Sequence, residues 1–198
     1  MTKKKIMFIS YGTGGAEAID ILYHKFKEET NYEIYNVSIS KYASNKLKEC
    51  VLVDDVYQLI EFINPDLVIN ERSNGLEYQN KITSYCKYKN IKNITLLDLY
   101  GSYADRFTSI PDLIITPSKT IDEELKSCLG AVKTVIGGNP AFDQLSSFNY
   151  RREESIEDIM KGRGLRVLFT SQPLEDNYQL KVFNDFKKEI KNYSNNMK

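Results

Sequence analysis

Charge of one sign is what this chain lacks. Lys and Arg together number 27 and so do Asp and Glu, which leaves a formal net charge of zero. A nucleic-acid backbone is held by a basic field, so no nucleic-acid partner is expected. Histidine occurs once, as His24, and the three cysteines Cys50, Cys86 and Cys128 are far apart and form no Cys-x-x-Cys pair. That spacing speaks against a disulfide framework and against a zinc site. Long apolar runs are missing as well. The opening Met-Thr-Lys-Lys-Lys leads into the short run Ile6-Met7-Phe8-Ile9, too brief for a secretory signal. No later stretch approaches the roughly 18 apolar residues of a membrane span. A cytoplasmic protein with no transmembrane segment is expected.

What is present is enough for a core. Of 198 residues, 41% are hydrophobic and 27% charged, which suits one globular domain, or one domain and part of another. Strand and helix signals alternate through the first two-thirds. Residues 6–9 form a continuous apolar run, as in a strand buried on both faces. A glycine turn follows, then an amphipathic helix to about residue 28 with Gly15, Ile19, Leu22 and Phe26 on its inner face. His24 lies about 200° round that helix from Leu22 and points away from the core.

Further strands are predicted at 32–37, 67–69, 94–97, 113–115 and 132–136, with a short edge strand at 51–53. Helices are predicted at 43–47, 56–63, 82–88 and up to Leu129-Gly130, the last capped by Ser118 or Thr120 and closed by Gly130. This alternation implies right-handed crossovers and a Rossmann-like parallel sheet flanked by helices. A polar stretch at 148–164 reads as a linker. A strand at 165–169, a helix at 177–190 and a polar tail then form a strand-helix unit that cannot close a domain alone. The expected organisation is a domain over 1–147, a linker over 148–164 and part of a second domain over 165–198.

Parallel sheets bind ligands beyond the carboxyl ends of their strands, so the residues after each strand are the candidates. After the first strand come Gly12, Thr13, Gly14, Gly15 and Glu17. Glycines admit a ligand close to the backbone, and the helix start favours an anion. Glu17 stands where a dinucleotide fingerprint needs its third glycine, and no Gly-Lys-Ser/Thr follows. A tight turn with nothing bound fits the residues too. Asn70-Glu71-Arg72-Ser73 after the next core strand is either a ligand cluster or a surface Glu71–Arg72 pair. Asp98, Tyr100, Tyr103 and Arg106 share one long loop. Tyrosines and acids suit sugar hydroxyls and Arg106 suits a phosphate or carboxylate, although a loop stapled by its own tyrosines is the competing reading. In Gly138-Asn139-Pro140, Asn139 reads as a helix N-cap with Pro140 at the first helical position.

The order of these motifs resembles the GT-B glycosyltransferases and the related UDP-N-acetylglucosamine 2-epimerases. The residues that carry the resemblance are Gly14-Gly15-Ala16-Glu17, Pro111 to Ser118, Gly138-Asn139-Pro140 with Asp143, and Val167 to Pro173. The resemblance covers the amino-terminal Rossmann-like domain and only the opening strand and helix of the carboxyl-terminal one. It implies a glycosyltransferase-like protein that binds a nucleotide-sugar or sugar-phosphate, in bacterial surface polysaccharide or glycan synthesis. No cofactor is implied beyond the nucleotide-sugar as substrate. Gly14, Gly15 and Glu17 would line the cleft, with Asp98 or Glu71 as the base, since a sugar hydroxyl needs a positioned carboxylate or histidine to lose its proton. The alternative is a non-catalytic module derived from such an enzyme, completed by a second domain, a partner chain or another copy of itself.

Overall fold

The computed structural model describes residues 3–72, 76–98, 101–143 and 176–196. The chain divides into two compact units, Met1–Asn149 and Tyr150–Lys198.

In the first unit seven strands form one sheet: β1 (Lys4–Ser10), β2 (Tyr32–Ser38), β3 (Val51–Leu52), β4 (Leu67–Arg72), β5 (Lys92–Leu97), β6 (Leu113–Thr116) and β7 (Thr134–Ile136). Their order is β3-β2-β1-β4-β5-β6-β7, and every pairing is parallel. The helices are α1 (Thr13–Lys27), α2 (Lys41–Ser44), α3 (Val56–Ile63), α4 (Leu76–Tyr88), α5 (Tyr103–Arg106), α6 (Lys119–Leu129) and α7 (Pro140–Asp143). The predicted Rossmann-like parallel sheet is therefore the observed one, with the short strand at its edge.

Alternate strand residues supply the two faces. Ile6, Phe8, Ile69 and Leu96 pack under Ala18, Ile19 and Tyr23 of α1. Met7, Ile9 and Val68 meet α3 and α4 through Ile60, Ile63, Ile82 and Cys86, while Leu97 and Ile114 lie under Ile121 and Leu125 of α6. The ends of the helices follow local chemistry. Asp55 accepts from the Tyr57 and Gln58 amides at the start of α3, which stops at Asn64 in a left-handed conformation (φ 49°) before Pro65. Ser118 caps α6, whose end is Gly130 at φ 75°. His24 is only partly turned outward, contrary to the expectation that it points away from the core: its side chain is one-third exposed, but its Nε2 is buried, 3.5 Å from the buried Asp20.

Several boundaries differ from the sequence expectation. α4 begins at Leu76 rather than at residue 82, and α2 spans Lys41–Ser44 rather than 43–47. β4 continues through Asn70, Glu71 and Arg72, which had been expected as a loop after the strand. The polarity of these residues hid a strand whose side chains are fully enclosed. β7 begins at Thr134 rather than at residue 132. In the second unit, α8 (Asp176–Asn196) continues to Asn196 through residues expected as a polar tail. The predicted linker and the strand at 165–169 lie outside the described residues.

Candidate functional site

The sheet order reverses direction between β1 and β4: the chain leaves β1 towards β2 and β3, then resumes at β4 and proceeds the other way. At such a switch point the loops diverge and leave a crevice beyond the carboxyl ends of the strands. The first turn of α1, the end of β4, the end of β5 and the start of α7 converge here.

Glu71 is the penultimate residue of β4 and is 1% exposed. Its Oε1 accepts from the backbone amides of Tyr11 (2.9 Å) and Gly12 (2.7 Å), and its Oε2 accepts from Gln79 Nε2 on α4 (2.8 Å). The Tyr11 ring stacks on that of Tyr78, with centroids 6.0 Å apart, which steadies the strand end that presents these amides. The start of α1 has no side-chain cap, so the Glu71 carboxylate from the neighbouring strand is the anion at the head of this helix. Gly15 makes this arrangement possible, because a Cβ there would lie 2.5 Å from Glu71 Cγ and 2.6 Å from its Cβ.

Arg72, the next residue, projects from the opposite face and is fully enclosed, with its guanidinium 4.6 Å above the Phe107 ring. Burial, opposed by the Glu71 charge and aided by that of Arg106, lowers its pKa to about 10. The reading of Glu71 and Arg72 as a surface pair is thus overturned: both are interior, and they serve different sides of the sheet.

Asp98 follows β5, and its amide donates to the Arg72 carbonyl (3.2 Å). Its Oδ2 would be 2.6 Å from a Cβ at Gly14, so the carboxylate lies directly against the second residue of α1. Asn139 Nδ2 donates to Oδ1 at 3.5 Å, while Asn139 Oδ1 caps α7 by accepting from Ala141 N (3.0 Å). Burial pushes the Asp98 carboxyl upward, and the Asn139 contact acts the other way. Between Gly15, Glu71, Asp98 and Asn139 lies a cavity of about 10 Å³, near the room one water needs.

Of the residues expected in the site, Gly12, Gly14, Gly15, Glu71, Asp98 and Asn139 come together here. Thr13 and Glu17 are exposed on the opening turns of α1. Tyr103 is elsewhere: it is 3% exposed and packs with Phe107, Ile121 and Leu125, and its hydroxyl donates to Glu124 (3.1 Å). It belongs to the core beneath α6, and the expectation that it faces a ligand is corrected accordingly. Arg106, also on α5, turns its Nε to the Gly101 carbonyl (2.9 Å). Tyr100 lies outside the described residues. Sequence reasoning missed Gln79 and the Tyr11 amide, because no local pattern marks a side chain eight residues beyond the carboxylate it holds.

No protein-family model matches this sequence, and no curated protein matches it. Solved structures do match its fold. A UDP-N-acetylglucosamine 2-epimerase superposes with a TM-score of 0.58 at 15% identity, over 80% of this chain and 55% of its own. The UDP-GlcNAc 2-epimerase from Neisseria meningitidis, solved bound to UDP-GlcNAc, gives 0.59 at 12% identity, over 79% of this chain and 51% of its own. S. aureus MnaA, solved with UDP, gives 0.59 at 18% identity, over 79% and 50% respectively. The chain spans about half the length of these proteins, and what it shares with them at such identities is the GT-B-type Rossmann-like fold. Among the described residues, no helix is long and apolar enough to cross a membrane.

Proposed function

We propose that this protein binds a nucleotide-sugar or sugar-phosphate at the carboxyl edge of its sheet, and that Asp98 is the group that exchanges a proton with the sugar. One observation carries the reading: a half-buried carboxylate lies against Gly14 at the switch point, with its pKa raised by desolvation. A carboxylate is a more effective general base or acid near neutral pH when its environment moves its pKa in this direction. Glu71 is a poorer base, since three N–H donors already hold its two oxygens. The fold shared with UDP-GlcNAc 2-epimerases supports a UDP-sugar as the first ligand to try. Glycosyl transfer or epimerisation is the chemistry such a carboxylate would serve.

Calorimetric titration of the full chain with UDP-GlcNAc and UDP tests this reading, with carbon-13 NMR of the sugar to detect turnover. Binding is expected, and Asp98→Ala should weaken it about tenfold, the loss of one charge-assisted hydrogen bond. Binding without turnover would support the module reading instead of the enzyme. No heat and no thermal shift with any nucleotide-sugar or sugar-phosphate in a panel would overturn both.

A further inference from the structure

A Rossmann-type fold offers its most favourable anion position at the first turn of the helix after β1, where backbone amides point outward and the helix dipole is positive. In this protein a side chain takes the two amides that lead into that turn. Glu71 Oε1 sits 2.7 Å from the Gly12 amide and 2.9 Å from that of Tyr11, and its carbon skeleton fills the space that the missing Gly15 side chain leaves. Hydrogen bonds from N–H donors favour the ionised form of a carboxylate, and the Glu71 charge acts on Arg72 across the strand. A second carboxylate, Asp98, lies against Gly14 one residue earlier in the same turn. A phosphate approaching this turn would meet two carboxylates where a nucleotide-binding fold usually offers amides.

We propose that Glu71 is a built-in anion at the entrance to α1, held by the Tyr11 and Gly12 amides, so that this turn selects the uncharged, hydroxyl-bearing part of a ligand and directs phosphate elsewhere. For the ligand this rests on the reading above, since a nucleotide-sugar has both parts. Its sugar hydroxyls can donate to carboxylates, whereas its diphosphate is repelled by them. Glu71 thereby acts as a specificity-determining and positioning residue, through the Tyr11 and Gly12 amides, rather than as a group that reacts.

The test uses inorganic phosphate and formate as probes of the full chain. With Glu71 in place, titrating phosphate while following the Gly12 and Gly14 amide signals by NMR should produce no saturable shift. A saturable shift would overturn the proposal, and this measurement needs no variant. In Glu71→Ala the position is vacated. Formate or phosphate should then raise the thermal midpoint saturably, and at least about tenfold more effectively than in the wild type, the worth of one charge-assisted hydrogen bond pair; chloride at equal ionic strength should not. Equal responses of variant and wild type would overturn the assignment, as would a failure of both anions to restore a destabilised variant. If formate rescues Glu71→Ala while UDP-GlcNAc fails to bind the wild type, the ligand reading falls and the built-in anion stands. The converse pattern removes only the built-in anion.

Discussion

Replacing Gly15 by alanine tests the close approach at the centre of this site. The added Cβ would meet Glu71 Cγ at 2.5 Å, its Cβ at 2.6 Å and its Cδ at 2.7 Å. Rotation about χ1 can move Cγ and Cδ but not Cβ, so β4 and α1 must separate or the carboxylate must abandon its amides. Overpacking of this kind costs about 1–3 kcal/mol, and losing a hydrogen bond to a charged group costs about 1.5–3 kcal/mol. Alanine returns about 1 kcal/mol through helix propensity. A net loss of about 3 kcal/mol is expected, which for a chain of this size lowers the thermal midpoint by about 6–12 °C. Urea denaturation followed by circular dichroism reads this as a lower midpoint at unchanged slope. Gly14→Ala is the matched control. There the new Cβ meets only Asp98 Oδ2 within 3.5 Å, the far end of a flexible side chain, so the fold should keep or gain stability while Asp98 is displaced and sugar binding weakens. Wild-type stability in Gly15→Ala would refute the placement of Glu71 against α1.

Two further outcomes follow from the same geometry. The Asp98 carboxyl is raised by burial, so the folded state holds its proton more tightly than the unfolded state does. Its contribution to stability is then present at low pH and is lost as pH rises from the ordinary aspartate range through the folded pKa; the stability of Asp98→Asn relative to wild type should increase as pH rises above the ordinary aspartate range, and a flat difference in urea titrations would show that Asp98 is not desolvated. Tyr103→Phe removes the hydroxyl's contacts with Glu124 and with the Gly101 backbone. It should change stability by about 0.5–1.5 kcal/mol and leave nucleotide-sugar affinity untouched by calorimetry, so a tenfold loss of affinity would return Tyr103 to the site.

Much of the fold could be read from periodicity because its strands are nearly all apolar. Residues 6–9 are buried on both faces, and such runs leave little doubt of a parallel sheet. The reading failed where the strand itself is polar. Asn70, Glu71 and Arg72 break the apolar pattern, yet all three are interior, because each has a specific partner. Asn70 accepts from Thr95 Oγ1 (2.6 Å), Glu71 is held by amides, and Arg72 lies on a phenylalanine face. Buried polar groups are tolerated when satisfied, but their partners lie many residues away and leave no local signal. Tyr103 failed in the other direction: in a loop rich in tyrosine and acid it suggested a sugar platform, whereas α6 supplies both an apolar bed and a carboxylate for its hydroxyl.

The glycine turn is the element whose meaning the structure changes most. As sequence, Gly12 to Gly15 suggests a backbone made open for a phosphate. In three dimensions each of its two inner glycines makes room for a carboxylate, Gly15 for Glu71 and Gly14 for Asp98. The two acids differ in what remains available to them. Glu71 is fixed by donors from the turn after β1 and from α4, which already engage both of its oxygens. Asp98 has one long contact, to Asn139 (3.5 Å), and a desolvated setting that favours its protonated form. Two carboxylates in adjacent positions whose surroundings separate their roles are the arrangement that proton-transfer sites use. A phosphate-binding turn would have no use for it, since either charge would repel the ligand. The glycines therefore argue for hydroxyl chemistry at this turn, with Asp98 as its titrating member and Glu71 as the fixed charge beside it.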